Sequence, residues 1–465
     1  MVDLRLGNDE FYRKYGRKKR AGILTLGCKV NQYESEAISG MFENAGYEIV
    51  DFGEKADVYV INTCTVTGIS ARKSRQMISR ARKNNKNAII AVVGCYPQVA
   101  PEEVIAIPGV NLIMGTRDRD KLMDHIGNII ENLGKDAWPN SCKINAVNDI
   151  KEIRSFEKMH VENYRDRTRA YLKIQDGCTQ FCSYCIIPYA RGTIRSREPR
   201  DVIAEVKKLA SNGYKEVVLT GIHVASYGKD LKNTSLLDII CRVHEIEGIE
   251  RIRLSSVEPT IITAEFVNTV KQLGKLCPHY HISLQSGCDD TLKRMNRRYT
   301  TSEYKNIVDM LRSNIDDVSI TTDVMVGFPG ETDQEFEQTY NFVEGICFSK
   351  MHVFRFSPRK GTPAYSFKGQ VPDKVKEERS NRLIELSMKC SLKFHEAFVG
   401  RTMPVLFEQE SDRPRFFEGL TPNYIRVLCE LGGNIKGEDL TGEIKNVVLK
   451  EAREDFMIAG MDDSL

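Results

Sequence analysis

Tyr171-Leu-Lys-Ile-Gln-Asp-Gly-Cys178-Thr-Gln-Phe-Cys182-Ser-Tyr-Cys185 sets three cysteines in eight residues, directly behind a short apolar run that reads as a strand. A loop this short can wrap three thiolates around one corner of a cubane and leave the fourth iron open. Iron-sulfur clusters are held by cysteine thiolates, whereas structural zinc normally takes four protein ligands. Cys178, Cys182 and Cys185 therefore point to a cluster with an exchangeable position. A zinc site completed by a distant ligand, His223 or His281, stands as the alternative.

Outward from this loop the chain keeps one rhythm. Strand-like runs at 171–174, 216–219, 251–254, 279–284, 318–326 and 351–356 are separated by helical patterns at 200–210, 236–246, 303–311 and 333–343. Six successive βα units with right-handed crossovers predict a partial (β/α)6 barrel over residues 169–398, ending in a long helix from 373. Residues 21–134 alternate in the same way and predict a separate parallel-sheet α/β domain. The polar stretch 135–168 reads as a linker. Short, Gly-punctuated strand-like runs over 399–460 predict a small β-barrel module. The expected class is α/β with that C-terminal β module.

A second set of cysteines takes its meaning from topology. Cys28 follows Ile23-Leu-Thr-Leu-Gly27, Cys64 follows Val58-Tyr-Val-Ile-Asn-Thr63, and Cys95 follows Ile89-Ile-Ala-Val-Val-Gly94. Each thiol stands just past the carboxyl end of a successive strand, the edge of an open α/β sheet where ligands bind. Residues 36 and 31 positions apart are thereby brought to one place and predict a second open-iron cluster. The other seven of the 13 cysteines share no ligand spacing and read as ordinary reduced thiols.

Composition sets the frame for both triplets. With 465 residues, 41% hydrophobic and 28% charged, the chain is long enough for about three folded domains. No stretch approaches the 18 or so apolar residues of a membrane helix, and the charged N-terminus lacks a signal-peptide core, so a cytoplasmic protein is expected. A reducing compartment favours metal ligation over disulfides for regularly placed cysteines. The net charge of +3 is unevenly spread: residues 399–465 hold eight Lys plus Arg against thirteen Asp plus Glu, and the rest of the chain is basic. A helical segment from Ile69 to Lys86 has seven basic residues, Arg72, Lys73 and Arg75 among them, and no acidic ones. Such a helix can track phosphates, as can the run Arg191, Arg195, Arg197 and Arg200. A solvated surface helix is the alternative.

The CxxxCxxC loop with Tyr184 before its last cysteine, the dispersed triplet and the small β module together resemble the radical S-adenosylmethionine methylthiotransferases. Cys178 through Pro188 with Arg191-Gly192, Asp323-Val-Met-Val-Gly-Phe-Pro-Gly-Glu-Thr332 and Phe356-Ser-Pro-Arg-Lys-Gly-Thr-Pro363 are similar to that family's motifs. The resemblance implies two 4Fe-4S clusters, S-adenosylmethionine, and a TRAM-like C-terminal module that binds tRNA in relatives. It implies that Tyr184 lies against the cofactor's adenine and that Gly221 sits near its amino group. Ser255, Glu258 and Gln285 become candidates for polar cofactor or substrate contacts, with strand-end capping as the alternative. Gly27-Cys28-Lys29-Val30-Asn31 is similar to the branch that adds a methylthio group to C2 of threonylcarbamoyladenosine beside the anticodon of tRNA. The branches acting on isopentenyladenosine in tRNA or on a ribosomal-protein aspartate are the alternatives, and a non-catalytic iron-sulfur RNA-binding or electron-carrier protein is the alternative from another class. An electron donor of the flavodoxin or ferredoxin type and a sulfur donor are the further partners implied.

Overall fold

The computed structural model describes residues 2–65, 68–132, 142–161, 168–413, 415–430 and 440–462. Parts of the stretch expected to be a linker, 135–141 and 162–167, lie outside the described residues. Among the described residues no helix is long and apolar enough to cross a membrane.

Six parallel strands form the first sheet: β1 (Arg20–Thr25), β2 (Glu48–Val50), β3 (Val58–Thr63), β4 (Ile89–Gly94), β5 (Leu112–Met114) and β6 (Ile144–Ala146), in the order β2-β1-β3-β4-β5-β6. Every residue of β3 and β4 is buried, as expected of central parallel strands covered on both faces. The helix Lys29–Asn44 covers one face with Tyr33, Ala37, Ile38 and Phe42, and the helix Gly68–Asn84 covers the other with Ala71, Ile78 and Ala81. Two features differ from the sequence reading. Residues 144–146, read as linker, pair with β5, a three-residue edge strand too short to show a period. The helix Asn8–Tyr15, ahead of the expected start at residue 21, buries Phe11 in the same core as Phe42 and Tyr47.

The central region carries β7 (Arg169–Asp176), β8 (Arg195–Ser196), β9 (Glu216–Gly221), β10 (Arg251–Leu254), β11 (His279–His281), β12 (Ser319–Val326) and β13 (Lys350–Arg355). They pair as β10-β9-β7-β8 and β11-β12-β13. Between the two sheets, Ile252 N donates to Lys275 O at 2.7 Å and Val257 N to His281 O at 2.8 Å. Six parallel strands in chain order, β7, β9, β10, β11, β12 and β13, thus make the expected open barrel, with the short antiparallel β8 beside β7. At the other end Met351 of β13 is buried while Lys350, His352 and Phe354 are exposed, which marks an open seam.

The last strands, β14 (Thr402–Glu410), β15 (Phe416–Leu420), β16 (Arg426–Glu430), β17 (Ile444–Ala452) and β18 (Met457–Met461), close as β14-β15-β16-β18-β17 around Val405, Phe407, Phe417 and Leu449. Closure removes exposed sheet edges. This module docks on the strand beginnings of the open barrel, and its acidity is partly spent there. Arg253 forks onto Glu216 (2.7 Å) and donates to Pro422 O (2.9 Å), Arg251 donates to Leu420 O (2.9 Å), and Glu408 pairs with Arg169 (2.6 Å). Tyr424 stacks on His279 with centroids 4.4 Å apart and planes 9° from parallel.

Candidate active site between the sheet and the open barrel

β7 delivers the local triplet. Its last residue, Asp176, accepts the Gly177 amide (2.8 Å), and Cys178 N then donates to Gly192 O (2.9 Å). The loop is braced by Cys185 N to Cys182 O (2.9 Å), Ser183 N to Met295 O (3.0 Å) and Asn296 Nδ2 to Phe181 O (2.9 Å). Two donors face the sulfurs: Gln180 N reaches Cys178 Sγ at 3.5 Å and Arg297 Nη1 reaches Cys182 Sγ at 3.3 Å. Burial pushes the Cys178 thiol up to about 11 and Cys185 to about 12, so a cationic iron centre must displace protons on binding. Three thiols with N–H donors toward sulfur fit an iron-sulfur cluster.

The dispersed triplet forms at the carboxyl edge of the first sheet. Cys28 caps the helix Lys29–Asn44, Cys64 follows β3, and Cys95 opens the turn after β4. Asn31 ties these strand ends together, donating from Nδ2 to Leu26 O (2.8 Å) and Thr63 O (3.0 Å). Cys64 and Cys95 are buried while Cys28 is exposed, so the group opens on one side. Burial pushes Cys95 up to about 12 although Arg191 donates to its sulfur from Nε at 3.3 Å. Gly94 fixes the approach: at φ +97°, a Cβ there would sit 2.6 Å from Asn62 Oδ1 and 2.8 Å from Thr63 O. Gly94→Ala is expected to cost about 1–3 kcal/mol of stability. Chemical denaturation checks this, and an unchanged midpoint would contradict the strained geometry.

A buried lattice of charge joins the two triplets. Glu34 meets Arg191 (2.5 Å), Lys173 (2.8 Å) and Arg119; Asp176 meets Lys173 (2.6 Å), Arg191 (3.4 Å) and Arg195 (3.6 Å); Glu157 meets Arg119. Four cations face three carboxylates, and the surplus charge borders Cys95. The geometry corrects one expectation. Arg191, Arg195 and Arg197 are buried and engaged, Arg197 with Glu205 at 2.5 Å, so they offer no surface to RNA; of that run only Arg200 is exposed. Arg72 and Lys73 are exposed on the helix Gly68–Asn84. Arg75 holds Tyr96 Oη (2.8 Å) and Glu103 (3.1 Å) at the rim of a cavity of about 820 Å³, lined also by Thr65, Tyr189, Arg359 and Lys360.

Inside the barrel mouth Tyr184 meets Phe328 edge-on at 6.4 Å. Gly221 is tight for a packing reason as well, since a Cβ would fall 2.9 Å from Gln175 Oε1. Ser255 Oγ is buried with no hydrogen-bond partner among the described residues. Glu258 meets Arg297 (2.6 Å) and His223 (3.8 Å); against burial, these partners hold its carboxyl below the usual range. Gln285, at φ +70°, pairs through its backbone with Asp323 O and Met325 N. The two histidines that could complete a zinc site are engaged elsewhere: His223 Nδ1 lies 2.7 Å from Ser226 Oγ, and His281 Nε2 lies 3.1 Å from Asp323. Sequence reasoning missed Arg297 and Lys29 as site residues. Arg297 sits among other basic residues in a loop, and Lys29 stands out only as one residue of the stretch after Cys28 that resembles one branch of the family. Burial lowers the Lys29 ammonium, which lies 6.0 Å over the Tyr171 ring.

An open six-strand barrel with a three-cysteine loop behind its first strand defines a radical S-adenosylmethionine enzyme, and residues 172–343 match the Radical SAM superfamily. Residues 20–115 match Uncharacterized protein family UPF0004. Threonylcarbamoyladenosine tRNA methylthiotransferase MtaB of Bacillus subtilis (strain 168) is 43% identical over 433 residues, 92% of this chain and 93% of that protein. A tRNA-2-methylthio-N(6)-dimethylallyladenosine synthase of Caldicellulosiruptor saccharolyticus is 36% identical over 425 residues, 89% and 87% of the two chains. The radical S-adenosylmethionine methyltransferase TsrM of Kitasatospora setae shares the fold, with a TM-score of 0.53 and 18% identity over 75% of this chain and 77% of that one. The chain belongs to the radical S-adenosylmethionine methylthiotransferases. Membership brings a 4Fe-4S cluster and S-adenosylmethionine as cofactors.

Proposed function

We propose that this enzyme adds a methylthio group to C2 of N6-threonylcarbamoyladenosine beside the anticodon of tRNA. The observation that carries the reading is the near-full-length identity with the relative named for that reaction, higher than with the relative named for dimethylallyladenosine. Cys178, Cys182 and Cys185 would hold the cluster that works with S-adenosylmethionine, and Cys28, Cys64 and Cys95 a second cluster. When bound, these groups supply the one-electron chemistry that opens an aromatic C–H bond and a site for the incoming sulfur. The chain's own residues orient the parts. Arg297 steadies Cys182 and Glu258 together, Tyr184 offers a flat wall for the cofactor's adenine, and Gly221 leaves room beside it. Ser255 keeps a free hydroxyl for a polar contact, and Gln285 is held against β12 by its bridge to Val324. Arg72, Lys73 and Arg75, with Arg359 and Lys360, form a basic rim for the anticodon arm, whose unstacked bases can be extruded as those of a duplex cannot. The enzyme would act in the cytoplasm with a flavodoxin or ferredoxin as electron donor and a separate sulfur donor.

Mass spectrometry of tRNA nucleosides from cells lacking the gene tests the reading. Loss of 2-methylthio-N6-threonylcarbamoyladenosine with build-up of its precursor is expected. Loss of the isopentenyl derivative, or of a modified ribosomal-protein aspartate, would replace it.

A further inference from the structure

The lumen of the open barrel is unusually cationic for a site that accepts a neutral base. Lys29, from the first sheet's edge, reaches in over Tyr171, within electrostatic range of Arg169, Arg253, His279 and His352. The carboxylates nearby are already committed: Glu216 to Arg253 (2.7 Å), Glu408 to Arg169 (2.6 Å) and Asp323 to His281 (3.1 Å). Among the described residues none lies within ion-pair distance of Lys29. Unpaired ammonium groups away from bulk water are costly, and they mark places where an anion is expected.

Buried polar atoms without partners lie near this ammonium as well. His279 is 5% exposed, and its Nδ1 has no partner although Nε2 bonds Thr321 Oγ1 at 3.0 Å. Arg169 Nη1 is also buried without a partner. Two orphaned polar atoms, His279 Nδ1 and Arg169 Nη1, within electrostatic range of one ammonium that has no carboxylate partner describe a site suited to a polar, negatively charged group. Its wall at β13 is open to solvent along Lys350, His352 and Phe354, so a flipped-out base can enter from the side.

We propose that Lys29 is a specificity-determining residue that binds the carboxylate of the threonylcarbamoyl side chain, with His279 and Arg169 offering further donors. The inference rests on the substrate read above, whose N6 substituent ends in a carboxylate; an isopentenyl group has none. Lys29 follows Cys28 directly, so a single peptide bond links the carboxylate contact to the dispersed triplet.

The test measures binding of two anticodon stem-loop RNAs to the holoenzyme, one carrying threonylcarbamoyladenosine and the other its methyl ester, by fluorescence anisotropy. The acid is expected to bind about 10- to 100-fold more tightly than the ester, the range for a charge-assisted contact. Lys29→Gln should erase that preference while ester binding stays within about twofold, and Lys29→Arg should restore most of it. Equal binding of acid and ester by the parent enzyme, or a preference that survives Lys29→Gln, overturns the proposal. If the parent converts the threonylcarbamoyl RNA yet binds acid and ester alike, the inference fails while the substrate reading stands. If it converts isopentenyl RNA instead, both fall. Iron content and ester binding of the glutamine variant report whether it has kept its fold.

Discussion

Replacing Glu34 by alanine is expected to lower the free energy of unfolding by about 3–5 kcal/mol, the range for removing one partner from a buried ion pair. The side chain is fully buried and is the shared acceptor for Arg119, Lys173 and Arg191. Its loss leaves four buried cations facing two carboxylates, Asp176 and Glu157. Against burial, Arg119, Arg191 and Lys173 hold the Glu34 carboxyl well below its usual range, and Lys173, Arg191 and Arg195 hold Asp176 low in the same way. Carboxyls depressed by folding contribute their full stability above the unfolded pKa of roughly 4 and lose it progressively as pH falls from there through the folded value. The gap between the parent and Glu34→Ala should therefore be widest near pH 7 and begin to narrow as pH falls to about 4. Glu34→Gln, which keeps the shape, should recover little. Urea titrations at pH 7 and pH 4 measure both effects, and a loss below about 1 kcal/mol, the worth of a surface pair, would show the lattice to be incidental.

The second large effect separates the triplets by chemistry. Cys182→Ala should abolish reductive cleavage of S-adenosylmethionine and, with it, all product. Cys64→Ala should leave that cleavage measurable while methylthio product falls below detection, because the cysteine it removes belongs to the other triplet. In each variant iron should drop by about half, as expected when one of two clusters is lost. The readouts are 5′-deoxyadenosine released, RNA nucleosides by mass spectrometry, and iron per chain. Product from Cys64→Ala would remove the dispersed triplet from the reaction.

How much of this was legible in the sequence depends on the range of the interaction involved. The Cys178 loop is local, and strands β3 and β4 announce themselves as continuous apolar runs because both faces are covered. The dispersed cysteines were legible because equivalent strand ends make distant residues neighbours. The arginines after the loop were misread because a basic run looks solvent-facing until its partners are known. Arg191's partner Glu34 lies 157 positions away, on a helix whose covered side holds Tyr33 and Phe42 together with that carboxylate. The acidity of the C-terminal module was likewise ambiguous until Arg169 and Lys215 were seen to meet Glu408 and Glu443.

The charge lattice also governs traffic. It crosses from the helix Lys29–Asn44 to β7 and the turn at Arg191, so swinging the first sheet away from the barrel would strip Glu34 of Lys173 and Arg191 in one motion. Any of those charges left buried without its partner would cost several kcal/mol against a typical domain's total stability of roughly 5–15 kcal/mol. The lattice thus ties the first sheet, with its cysteine triplet, to the barrel strand that leads into the other. On the proposed function, nucleoside entry and product departure would fall to the unpaired flank of β13, where Phe354 stands 47% exposed.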